Sequence, residues 1–342
     1  MMEFFKPFKP GTPSSVHERL TSVEIGKLWV IYMGNTLSQC ILGYFLQHVD
    51  DPDVKKVVSY AKGLSDEFVQ NIIDIFNKES MPIPKGMTSE DVNLGAPRLF
   101  SDEFYLHYLK YVGKAGLSVY SIAVPLVLRK DVRDFFIYCL NCNMKLLSMA
   151  NDVMLDKGWL MKPPPIPVPD KIDIVEKQSF FNGYFGNVRT LHALEITHLY
   201  DNLENNVVSK ALLIGFSQTA KEKKVKEYLL RGKDITNKHV EICSQKLHKD
   251  NLPSPPLLDH LVSTSDFPPF SDKLMVQHKV DMFSMKIRSY SNALSLNGRR
   301  DLAAMYTKLI ADVSLYMEDG SNILIDNGWL EQPPHAANRE NS

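Results

Sequence analysis

Apolar residues recur every three to four positions along most of the chain, and turn-forming residues interrupt that rhythm at a few defined places. Thr21-Ser-Val-Glu24 reads as a capping box, and the periodic run behind it extends to about His48. Asp51-Pro52 follows as an N-cap with proline in the first turn, opening a second helix to about Lys78. Residues 80–101 carry three prolines and two glycines and predict a long irregular connection. Asp102 opens a third helix to about Pro125. A fourth runs from about Asp131 to Asp156, where Gly158 and the following prolines stop it. No run alternates apolar and polar residues, so no strands are expected.

The same layout then returns. "DKGWLMKPPPIP" at 156–167 recurs as "DNGWLEQPPHA" at 326–336, and "FSD" at 100–102 as "FSD" at 270–272. Further upstream Val54-Lys55 matches Val225-Lys226, and Glu24 matches Glu195. The offset is 170 residues, or 171 in the upstream part. A fixed offset of this size means a tandem duplication of a whole domain. The second set of helices is expected near 186–218, 221–249, 272–295 and 301–326. This gives an N-terminal tail (1–14), a first four-helix unit (15–162), a Pro-rich linker (163–182), a second unit (183–332) and a C-terminal tail (333–342). Each unit is expected to close its own core.

Two short turns flanking one long crossover between helices two and three predict an up-down-down-up arrangement. The fold class is therefore all-α, a tandem duplication of a ferritin-like four-helix bundle. Trp159 and Trp329 are expected to cap the bundle ends; stacking on a ligand is the alternative role. The doubled unit, each copy ending in D-x-G-W-L and then prolines, resembles the domain-of-unknown-function family three-two-three-one of spore-forming bacteria. That resemblance spans roughly residues 15–335. It implies a ferritin-like fold and brings no activity with it.

Charge and composition narrow the function classes. The 39 basic and 40 acidic side chains nearly cancel, leaving no global basic field for nucleic acid. Four cysteines in 342 residues do not make a disulfide scaffold and suit a reducing compartment. The N-terminal "MMEFFKPFKPGTPSS" has no long apolar run and does not read as a signal peptide. The most apolar stretch, residues 116–128, is too short to span a bilayer and reads as a buried helix. No membrane span is expected.

A ferritin-like bundle raises the question of metal. A di-iron site needs Glu-x-x-His on two of the four helices, and the only such motif here is Glu195-Ile-Thr-His198. Ile196, Leu199, Leu203, Val207, Ala211 and Ile214 define the apolar stripe of its helix. On a helical wheel His192 lies about 40° from the stripe centre, Glu195 about 100° and His198 about 160°. His198 is thus expected in solvent. His192 and Glu195, joined by His239 from the next helix, form the candidate for an atypical iron, manganese or zinc site. Without it, no cofactor is expected.

Glu24 and Glu195 share a register, as do Asn35 and Asn206, and these four are expected to make structural polar contacts. Cys139-Leu-Asn-Cys142 sits mid-helix and reads as buried structural thiols. No Gly-rich phosphate loop or nucleophile elbow is present. Two readings of function follow. The first is a non-enzymatic helical protein of the cytoplasm or spore, spore- or stress-associated, acting through homo-oligomeric assembly or a protein partner. The second is a degenerate ferritin-like metalloprotein built on His192, Glu195 and His239. A third class, a membrane-active protein exposing residues 116–128 on opening, is testable by liposome leakage.

Overall fold

A computed structural model describes Phe8, residues 19–337 and Arg339. The tail expected at 1–14 lies outside the described residues apart from Phe8, as does part of the tail at 333–342. The chain is all helical: α1 Ser22–His48, α2 Pro52–Lys78, α3 Asp102–Ala123 and α4 Lys130–Asp156 form the first half. The second half comprises α5 Ala193–Thr219, α6 Lys223–His248, α7 Asp272–Leu296 and α8 Arg300–Asp326. No strand occurs among the described residues, only two isolated bridges.

The helix ends follow local chemistry. Thr21 and Glu24 form the expected capping box. Asp51 accepts the N–H groups of Asp53 and Val54 ahead of Pro52. Asp102 accepts those of Asp50 and Asp51, and Asp272 those of Lys221 and Glu222. One device thus ties the start of the third helix to the first turn in both halves.

The repeated D-x-G-W-L phrase is a helix stop. Gly158 and Gly328 sit at φ +73° and +65°. This turn lets Trp159 N–H donate to the Met154 carbonyl and Trp329 N–H to that of Leu324, each at 2.8 Å. Both indoles lie half-buried against the core. Gly158→Ala and Gly328→Ala should each cost about 1 kcal/mol in urea unfolding, because the left-handed conformation penalises a Cβ. No atom lies within 4 Å of either added Cβ, so the loss isolates backbone strain from packing.

The halves meet about a pseudo-twofold axis. Tyr108 pairs with His278, and Ser118 with Arg288. Each of these pairs joins equivalent positions of the two copies, so α3 and α7 run side by side in the same direction. The two crossovers exchange hydrogen bonds reciprocally. Asn93 N–H donates to the Pro269 carbonyl and Ser263 N–H to that of Leu99; Ser101 N–H donates to Leu261 and Ser271 N–H to Asp91. This is an isologous interface fused into one chain.

Three expectations are corrected here. Buried apolar residues of both halves form one continuous cluster, so the interior runs through the α3/α7 seam and is not closed off within each copy. The first helix of the second half begins at Ala193 rather than near 186. Arg189 and Leu191 are spent earlier, on Glu195 and Asp250, and His192 becomes the cap. Residues 116–128 are only partly buried. Tyr120, Ala123 and Val127 face inward, while Ile122, Leu126 and Leu128 are exposed, Leu128 by 71%.

Candidate functional site

The three sequence-proposed metal ligands occupy two separate places. His192 is the N-cap of α5, its Nδ1 accepting the Glu195 N–H at 3.3 Å, and its ring stacks on Phe180. Glu195 is fully buried, not at a boundary as the helical wheel placed it. Its oxygens accept from both Arg189 Nη atoms (2.7 and 2.8 Å) and from the N–H groups of His192, Gly298 and Arg299. Burial works against the Glu195 carboxylate, but Arg189 and these N–H donors outweigh it and hold its pKa below the ordinary range. Glu24 accepts equivalently from Leu128 and Arg129 N–H. Both glutamates therefore pin the α3–α4 and α7–α8 turns to the first helix of their half.

His239 lies elsewhere. Its Nδ1 is 3.0 Å from the Tyr290 hydroxyl, which in turn accepts from Asn206 Nδ2 at 2.8 Å. Asn206 is 11 residues from Glu195, about 16 Å along α5. No group of three or more His, Cys, Asp or Glu side chains placed to hold a metal ion occurs among the described residues. His198, expected in solvent, is half-buried, and burial lowers its pKa. Cys139 is fully enclosed and Cys142 partly so, and burial raises both thiol pKa values.

Two features were not anticipated. The first lies inside the second half. Lys279 and Lys286 are buried, and among the described residues their Nζ atoms bond only to the hydroxyls of Ser209 (2.9 Å) and Thr236 (3.1 Å). Phe283 lies between them, its ring 5.4 and 4.2 Å from the two nitrogens. Burial pushes Lys279 down to about 7 and Lys286 further below the lysine range. In the first copy the matching positions are Leu109 and Gly116.

The second is a break in the pseudo-symmetry. Where α3 crosses α5, Lys110 and Lys114 bind Asp201 and Glu204 at 2.6–3.0 Å. Burial opposes the Lys114 charge, but the two carboxylates hold its pKa above the ordinary value. The equivalent α1–α7 crossing has Val30, Met33, Val280 and Ser284 in place of Asp201, Glu204, Lys110 and Lys114. Without those long charged side chains the crossing opens into a cavity of about 670 Å³, walled by α1, α3, α7 and the strap at 330–333. Trp29, Val30, Met33, Leu37, Val112 and Val119 supply much of its apolar lining, with Asp281, Arg288 and His278 on the α7 side. The strap is fixed by Glu331, which accepts the N–H groups of Lys85 and Gly86 at 2.7 Å. Aligning the two copies position by position would have exposed both features, because each is a charge present in one copy and missing from the other.

No helix among the described residues is long and apolar enough to cross a membrane. No curated protein matches the chain. Among solved structures it is similar to a provisionally assigned spore coat protein from Bacillus halodurans C-125. The identity is 19%, covering 44% of this chain and 98% of that one, with a TM-score of 0.40. The model of the family described as protein of unknown function (DUF3231) matches twice in succession, over residues 12–172 and 179–341, and the chain belongs to that family.

Proposed function

We propose that this is a non-enzymatic helical-bundle protein that acts by binding, with the cavity at the α1–α7 crossing as its site for a small, mostly apolar ligand. The carrying observation is the asymmetry. The same pseudo-symmetric position is locked by four charged side chains on one side and open on the other. A volume of about 670 Å³ falls within the range of small-molecule sites, and an apolar wall with a few polar groups is their usual composition. Two units, 15–162 and 183–332, each a ferritin-like module, provide the scaffold in this reading. The long crossover in each half and the reciprocal seam support it. Assembly with a further partner remains compatible with this reading, since the cavity does not use the exposed apolar strap around Ile172 and Ile174.

Transplanting the lock tests the proposal. The variant Val30→Asp/Met33→Glu/Val280→Lys/Ser284→Lys copies the charged set of the α3–α5 crossing. Wild-type protein should bind an apolar fluorescent probe such as Nile red at one site per chain, and the variant should lose at least about tenfold in affinity. Its circular dichroism should stay helical. Equal probe binding by the two proteins would refute the assignment.

A further inference from the structure

We propose that the ligand is an amphipathic carboxylate, its anionic head held by Arg288 and its tail lying along the apolar wall of α1 and α3. This rests on the cavity reading above and adds the chemistry of the head group.

Arg288 is the reason for the sign. Its Nε donates to Ser118 Oγ at 3.2 Å and its Nη1 to Ser284 Oγ at 2.9 Å, both neutral hydroxyls. No carboxylate among the described residues comes within ion-pair distance of it, and Nη2 makes no hydrogen bond there. A guanidinium cannot shed its proton, so a half-buried one whose opposite charge, Asp281, acts only from beyond ion-pair distance is a standing cost that a ligand anion would relieve. The fork geometry of Arg suits a carboxylate.

His278 lies too far along α7 to share that head group, 10 residues and about 15 Å from Arg288. It is 2% exposed and lines the cavity, and its Nδ1 has no partner. Its Nε2 is 3.0 Å from the Tyr108 hydroxyl, which has no other hydrogen-bond partner among the described residues. If Tyr108 donates to Nε2, the ring proton sits on Nδ1 and only that N–H is left unsatisfied. The reverse assignment leaves two atoms unsatisfied, so the first is preferred. That Nδ1 is enclosed by protein, so the charged donor that the wall offers a ligand is the Arg288 fork.

Asp281 lies two helical turns from Arg288 and answers to pH. Its side chain is exposed at the mouth and accepts from Gln277 Nε2 at 2.9 Å; desolvation by the surrounding wall raises its carboxyl pKa, against that bond and the pull of Arg288. Solvent in the mouth moderates that shift without reversing its direction. The other titratable groups on the cavity wall are His278 and Arg288 from α7, Tyr108 and Tyr120 from α3, and Glu331 from the strap; α1 contributes none. Unlike Arg288, Asp281 can neutralise by taking a proton. A carboxylate ligand, ionised throughout pH 6–8, will then bind best to the protonated form.

The experiment is calorimetric titration of the full chain with decanoate, decanol and decylamine at pH 6 and pH 8. Decanoate should bind at least about tenfold tighter than decanol at pH 6, and decylamine weakest. Arg288→Gln should abolish the decanoate advantage while leaving decanol binding unchanged. Decanoate affinity should rise about tenfold from pH 8 to pH 6, and Asp281→Asn should flatten that dependence, which keeps the test informative if the arginine variant does not fold. Decanol or decylamine binding as tightly as decanoate would overturn the head-group inference and leave the cavity reading standing. Failure of all three to bind would overturn both. Sedimentation with phosphatidylglycerol vesicles should leave the protein in the supernatant; vesicle binding without decanoate binding would overturn the proposal as well.

Discussion

Lys279→Met and Lys286→Met should each stabilise the protein, by about 2–5 kcal/mol at pH 7, in spite of removing a hydrogen bond. Both amines are buried, at 0% and 1% exposure, and each has one neutral hydroxyl as partner. Methionine keeps the volume of the stem and discards the group that must be desolvated. The lost bonds to Ser209 and Thr236 return only about 1 kcal/mol each. The pH dependence carries a sign. In the unfolded chain a lysine keeps its proton to about pH 10.4, while in the folded protein Lys279 gives it up near 7. Between these values the unfolded state binds more protons, so wild-type stability rises with pH. The advantage of the methionine variants should therefore be largest near neutrality and shrink toward pH 10. Urea unfolding at pH 7 and pH 9.5 measures it. Destabilisation at both pH values would mean that the amines are charged and well compensated, with Phe283 as the compensating face.

Glu195→Ala should be the most damaging single change outside the apolar core, costing about 3–5 kcal/mol. It strips the counterion from Arg189 and leaves the Gly298 and Arg299 N–H groups without their acceptor. Glu24→Ala removes the equivalent acceptor in the first half but orphans no arginine among the described residues, where Glu24 is met by Thr21 and backbone N–H groups. It should cost less, about 1–3 kcal/mol. The Glu195 carboxyl has a depressed folded pKa, so its contribution is complete above the unfolded value and fades as pH falls through the folded one. The difference between wild type and Glu195→Ala should hence be full at pH 7 and narrow below about pH 4. Equal losses from the two alanine variants would show that Arg189 adds nothing.

The two glutamates also show what a single chain of letters conceals. Their shared register and their place in the capping box were legible. The helical wheel nevertheless put Glu195 at a boundary. A wheel measures direction around one helix, and burial at a helix end depends on what lies beyond it, here Arg189 and the α7–α8 turn. The same limit explains His239. Its spacing to His192 and Glu195 was compatible with convergence, but α6 runs back antiparallel to α5, and the hairpin placed it beside Asn206 and Tyr290 instead.

The sequence by itself determined the helices, their caps, the doubling and the stop phrase. Each of these is decided within a few residues, by hydrogen bonds a side chain makes to its own backbone and by a period that shows which face is apolar. Only the tertiary structure decided which equivalent surfaces of the two copies face one another. The seam of α3 on α7, the reciprocal crossovers and the cavity at the α1–α7 crossing all join groups about 100–250 residues apart. Copies that diverge can keep one contact locked and lose its twin without disturbing any local pattern, because the loss of Lys114, Asp201 and Glu204 counterparts leaves every helix as regular as before.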